Sequence, residues 1–226
     1  MARSIRFYRT PGSPGKAEVL GAEMLDAYNE IVNHYHSSKA KETLGRFQII
    51  DKELAGFNPF MCVNLQKVLP ENKGLITRKD LETALSFNPE FFLDDYIDFG
   101  VALKSNRDPN YKQNDLIART LAEQLKSRGI SLDRGKLIPF SVLDPPENED
   151  SFYGLVFGLV DLSSNEIKER VMDLDAFKWN YRRKKGISCA YLGEGFVWCY
   201  SDEDLSFFDS DTRVVVVSAE GASLKK

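Results

Sequence analysis

The stretch Asn114-Asp115-Leu116-Ile117-Ala118-Arg119-Thr120-Leu121-Ala122-Glu123-Gln124-Leu125-Lys126-Ser127-Arg128-Gly129-Ile130-Ser131-Leu132 contains a change of period. Up to Arg128, Leu116, Ile117, Leu121 and Leu125 recur at helical spacing, and Gly129 is the natural stop. After Gly129 the apolar residues approach alternation, the signature of strands.

Working outward from this seam, the N-terminal side reads as helical. Ser13-Pro14 has the form of an N-cap followed by a first helical residue. Leu20, Met24, Ala27, Tyr28, Ile31 and Tyr35 then continue at helical spacing. Leu44, Phe47, Ile50 and Leu54 predict a second helical segment over 39–55, either continuous with the first or joined at Ser37-Ser38. Thr77-Arg78-Lys79-Asp80 resembles a capping box with Asp in place of Glu, and Asn88-Pro89 opens a further segment. That segment reads as helix, with a change to strand near 97–104.

On the C-terminal side, 130–132 and 137–143 predict a hairpin, and 152–162, 187–192, 196–200 and 212–218 predict strands. Asp144-Pro145-Pro146-Glu147-Asn148-Glu149-Asp150 is the most loop-like run. The expected class is α+β: a helix-rich N-terminal half packed on a mixed or antiparallel sheet formed mainly by the C-terminal third. The corresponding division is a helix-rich region 1–143 and a β-rich region 151–219, with one compact domain as the alternative.

With 226 residues, 42% hydrophobic and 28% charged, the chain can bury a substantial core. Its longest apolar run, 154–160, is far shorter than a membrane span, so no membrane association is expected. The first fifteen residues lack the apolar core of a secretory signal, and three cysteines do not make a disulfide framework. These features predict a cytoplasmic protein.

Asp94-Asp95-Tyr96-Ile97-Asp98 has the DDxxD form. On a helix it would group the Asp94, Asp95 and Asp98 carboxylates as in the Mg²⁺ motif of isoprenoid synthases. A partner motif at Asn114-Asp115-Leu116, Thr120 and Glu123 is misspaced and lies too close, so the match fails as a pair. The plainer reading is that these carboxylates solvate a helix whose Phe92, Tyr96 and Phe99 are buried. Gly12-Ser13-Pro14-Gly15-Lys16-Ala17 is not a phosphate loop, because its glycines are too close and Ala17 replaces the Ser or Thr. His34 and His36 on one helix would point about 200° apart and could not share a metal. No cofactor is expected.

Two segments are basic without an acid. Arg3, Arg6, Arg9 and Lys16 lie in 1–16, and Lys178, Arg182, Arg183, Lys184 and Lys185 lie in 178–185. Trp179 and Tyr181 add rings to the second, a composition suited to phosphates and bases. These nine cations stand in a chain of net charge −4. A three-residue hairpin loop at Gly193-Glu194-Gly195 would oppose Lys184 and Lys185 to Asp204 and Glu203, neutralising the basic run. The same register would place Cys189 opposite Cys199, within reach of a thiol pair. It would also gather Ala190, Leu192, Phe196, Trp198 and Tyr200 on one face, with Phe207 and Phe208 following.

The leading expectation is a non-catalytic binding or scaffolding protein that meets an unidentified protein partner through this aromatic C-terminal surface. The alternatives are a nucleic-acid-associated protein using the two basic segments and a Mg²⁺-dependent enzyme using Asp94, Asp95 and Asp98.

Overall fold

The computed structural model describes residues 4–8, 14–45, 47–92, 95–104, 109–174, 186–193, 199–200, 204–206 and 211–219. Strands β1 (Ser4–Tyr8) and β2 (Pro14–Val19) form an antiparallel pair. Pro14 thus begins a strand rather than a helix. Helices α1 (Leu25–His34) and α2 (Ser38–Leu44) follow, separated by Tyr35-His36-Ser37. The Ser37 side chain accepts from the Ala40 amide, so the turn itself supplies the second helix's cap.

The segment after α2 departs from the helical expectation. Gln48–Ile50 (β3) and Glu53–Ala55 (β4) form a hairpin around Asp51 and Lys52, whose φ values are 52° and 70°. Ile49 and Ile50 favour this pleated geometry, and a two-residue left-handed turn matches the strand twist. Helix α3 (Pro59–Gln66) is capped by Asn58, whose side-chain oxygen accepts from Met61 N at 3.0 Å. Seven of its eight residues are buried, so it shows no polar stripe.

Strand β5 (Lys73–Leu75) leads to α4 (Arg78–Phe87), where Thr77 accepts from the Asp80 amide as the capping motif predicts. Strand β6 is Tyr96–Leu103, and α5 is Asp115–Ser127 with Ile117, Ala118, Leu121 and Leu125 inward. Short strands β7 (Lys136–Ile138), β8 (Leu143–Asp144) and β9 (Gly158–Leu159) precede α6 (Ser164–Arg170). Then come β10 (Met172–Asp173), β11 (Ile187–Leu192), β12 (Cys199–Tyr200), β13 (Thr212–Arg213) and β14 (Val215–Ala219).

The class is α+β, but strands span the whole chain instead of gathering in its last third. One sheet runs β1-β2-β14-β5. A mixed sheet is centred on β6, which pairs antiparallel with β11 and β7 and parallel with β13; β13 continues to β4 and β3. The expected hairpin of 130–132 with 137–143 does not form, because β7 pairs with β6 and β10. Both sheets combine strands from either end of the chain.

Alternate residues of the mixed sheet serve two cores. Val101, Leu103, Ile138 and Ile187 belong to the larger core, with residues of α2, α3 and α5. Ile97, Phe99, Ala102, Ala190 and Leu192 belong to the second, with Leu81 of α4 and Val215 and Val217 of the other sheet. The pairing slips between Ala190↔Gly100 and Tyr191↔Asp98, leaving Phe99 as an extra residue in β6. Among the described residues, no helix is long and apolar enough to cross a membrane.

Candidate functional site

The loop-like run before β9 is tied to the body at both sides. Asn148 N donates to Gly154 O at 2.9 Å, and Tyr153 N donates to Ser151 Oγ at 3.2 Å. These bonds turn Phe152 outward, where it is 65% exposed, and Tyr153 inward, where it is 2% exposed. Gly154 makes the approach to α2 possible. Its φ is +70°, and an added Cβ would stand 2.5 Å from the Ala40 nitrogen.

Tyr153 joins four segments distant in sequence. Its carbonyl accepts from Thr43 Oγ1 of α2 at 3.0 Å, and its ring packs 5.1 Å from the ring of Phe60 in α3. Its hydroxyl reaches Asn114 Oδ1 and Asp204 Oδ1, the latter at 2.7 Å. Asn114 Nδ2 donates to Asp204 Oδ2 at 3.0 Å and Gln113 Nε2 donates to the same oxygen at 2.9 Å. Ser206 donates to Asp204 Oδ1 from its amide at 2.9 Å and its hydroxyl at 2.7 Å. Burial, reinforced by the Asp204 charge, pushes the Tyr153 phenol far up, so it stays protonated at physiological pH.

Outside this network lies a cavity of about 310 Å³, walled by Thr43, Asn58, Tyr153 and Ser206. Lys39 and Glu42 of α2 and the Phe152 ring also line it. Sequence reasoning missed this site because its members lie in four separate segments. The one local signal was the aromatic pair Phe152-Tyr153, set where the polar run 147–151 meets the apolar run 154–160.

A second, more open depression of about 530 Å³ is lined by Ile31, His34, Tyr35, His36, Lys67 and Glu147. Helix α1 ends at His34, so the two histidines do not share a helix as expected, yet both line this depression. His34 Nδ1 hydrogen-bonds the Glu30 carbonyl at 2.6 Å. Glu147 Oε1 accepts from the His36 amide at 2.8 Å and from the Ser37 amide. Among the described residues, no group of three or more His, Cys, Asp and Glu is placed to hold a metal.

The DDxxD reading requires a helix, whereas Tyr96, Ile97 and Asp98 of the motif lie in strand β6. Asp94 lies outside the described residues. Asp95 precedes β6, is 5% exposed, and its Oδ1 lies 3.9 Å from Arg213 Nε, which is also 3.6 Å from Glu53 Oε2. Asp98 lies within β6 and accepts from Cys189 Sγ at 3.1 Å. The two carboxylates therefore serve different partners. Asp98 is pushed up to about 7 by burial, against the lowering effect of the Cys189 hydrogen bond. It lines neither cavity described above.

The register expected to bring Cys189 opposite Cys199 is not the one observed. The β11–β12 register is Tyr191↔Tyr200 and Leu192↔Cys199, displaced by three from the one assumed, so Cys199 lies opposite Leu192. Cys189 lies opposite Val101 of β6. Asp204 accepts from Gln113, Asn114, Tyr153 and Ser206, while Lys184, expected opposite it, lies outside the described residues. Ala190 and Leu192 are core residues, while Phe196, Trp198, Phe207 and Phe208 lie outside the described residues.

Of the basic residues, Arg6 stands in β1 opposite Lys16, and Lys16 pairs with Glu18 at 2.7 Å. Arg3, Arg9 and all of 178–185 (Lys178, Trp179, Tyr181, Arg182, Arg183, Lys184, Lys185) lie outside the described residues. Comparison of the chain with protein-family models, with curated proteins and with solved structures found no match.

Proposed function

We propose that this is a non-catalytic binding protein whose recognition surface centres on Phe152 and the neighbouring 204–206 segment. The supporting observation is the contrast between Phe152, 65% exposed, and the hydrogen-bonded wall beside it. A large exposed aromatic beside a preformed cavity is the usual anchor of a recognition site. The Asp204 carboxylate accepts from Gln113, Asn114, Tyr153 and Ser206, which makes it a strut holding the wall rather than a general base.

A photo-crosslinking residue at position 152, compared in cells with one at the similarly exposed Phe87, tests this reading. The expected result is a discrete adduct at 152 that is absent at 87. Equal adducts, or none at either position, would remove the support for it.

A further inference from the structure

The direction of the hydroxyl hydrogen bonds around the 310 Å³ cavity carries information about its ligand. A hydroxyl has one proton and two lone pairs. Thr43 Oγ1 donates its proton to the Tyr153 carbonyl, and Ser206 Oγ donates to Asp204. The Tyr153 hydroxyl meets two acceptors, Asp204 Oδ1 and Asn114 Oδ1, which share its single proton. All three protons are taken up by the protein, so what these hydroxyls can still offer a ligand is acceptor lone pairs.

Charge acts in the same direction. Lys39 and Glu42 stand three residues apart on α2, both exposed, and bring one charge of each sign to the mouth. The Asp204 carboxylate lies directly beneath, 2.7 Å from both the Tyr153 and Ser206 hydroxyl oxygens. Among the described residues at the cavity, this leaves the Asp204 charge as the net contribution. Phe152 adds an exposed ring, whose face attracts cations.

We infer that this cavity receives an organic cation, an alkylammonium or guanidinium head, which donates to the Thr43, Tyr153 and Ser206 oxygens and lies against Phe152. The inference rests on the binding-protein reading above and names the chemistry its site would take. Such a head is presented either by a free amine or by a Lys or Arg side chain of a protein partner. The cavity volume suits one such group and a short chain, near the lower end for ligand sites.

The test is a titration of the full-length protein followed by NMR, reading the amides of Thr43, Tyr153 and Ser206. The probes are butylamine, butanol and butyrate, which share a chain and differ in the head, together with an end-blocked Gly-Arg-Gly peptide. Binding of butylamine or the peptide at these amides, without butanol or butyrate, is the expected result. The tighter of the two identifies the source of the cation. Phe152→Ala should weaken that binding about fivefold, whereas Phe87→Ala should leave it unchanged. Equal or preferred binding of butyrate or butanol at the same amides overturns the cation but leaves a binding site. No response to any of the four overturns both the cation and the site.

Discussion

The Cys189 thiol donates to Asp98 Oδ1 at 3.1 Å, joining β11 to β6 beside the irregularity at Phe99. Asp98 is 8% exposed, and Cys62 of α3 contributes a second buried thiol near enough to feel its charge. A carboxyl normally near 3.8 is pushed up to about 7 here, chiefly by burial. Between those two values the folded chain retains a proton that the unfolded chain releases. Stability attributable to Asp98 is therefore greatest below about pH 4, falls as pH rises toward 7, and is level above that. Thermal unfolding from pH 5 to pH 8 should show this decline. In Asp98→Asn it should be weaker, by an amount on the order of a few kcal/mol at most. An unchanged pH slope in the variant would contradict the assignment.

Gly100 sets a stricter limit on the same strand. An added Cβ there would stand 2.6 Å from the Ile138 carbonyl oxygen, whereas one at Gly158 would meet nothing closer than 3.6 Å. Gly100→Ala should cost about 1–3 kcal/mol, the usual penalty of overpacking. Gly158→Ala should fall within about 1 kcal/mol of the parent. Urea unfolding of the two variants side by side measures the difference.

Tyr153→Phe retains the ring against Phe60 and removes only the hydroxyl that reaches Asp204 and Asn114. The expected loss is about 1–3 kcal/mol, because buried acceptors lose a partner. If the network acts as one unit, Tyr153→Phe combined with Asn114→Ala will cost less than the sum of the two changes. Strict additivity would show that the contacts are independent.

Glu147 holds the turn between α1 and α2 through the His36 and Ser37 amides. Glu147→Ala should destabilise by about 1–2 kcal/mol, and Glu147→Gln by less, since the amide oxygen can still accept. Hydrogen exchange at the Ser37 amide should accelerate in the first variant and only slightly in the second.

Helices with a local signature were legible in the sequence. The 3.6 period and Gly129 located α5, and Thr77 with Asp80 located α4. Helix α6 carries an equally local signal, Ser163 capped reciprocally by Glu166, yet it lay inside a stretch dominated by strand patterns. The β3–β4 hairpin was misread because Leu44, Phe47, Ile50 and Leu54 fit a helical stripe. The turn at Asp51-Lys52 has no glycine to announce it. Registers were the least legible feature. Changing one loop length moved Cys199 from Cys189 to Leu192. The site was hidden for a related reason, since Thr43, Asn114, Tyr153 and Asp204 meet only in three dimensions.

Strand β14 lies between β2 and β5, with Val217 opposite Ala17 on one side and Gly74 on the other. As the chain leaves the ribosome, β2 and β5 are therefore made long before the strand that must separate them. Until residues 215–219 emerge, the apolar face that contributes Ala17 and Val19 has no partner on that edge. Completion of this sheet waits for β14, and the nascent chain depends on that strand to close what β2 and β5 began.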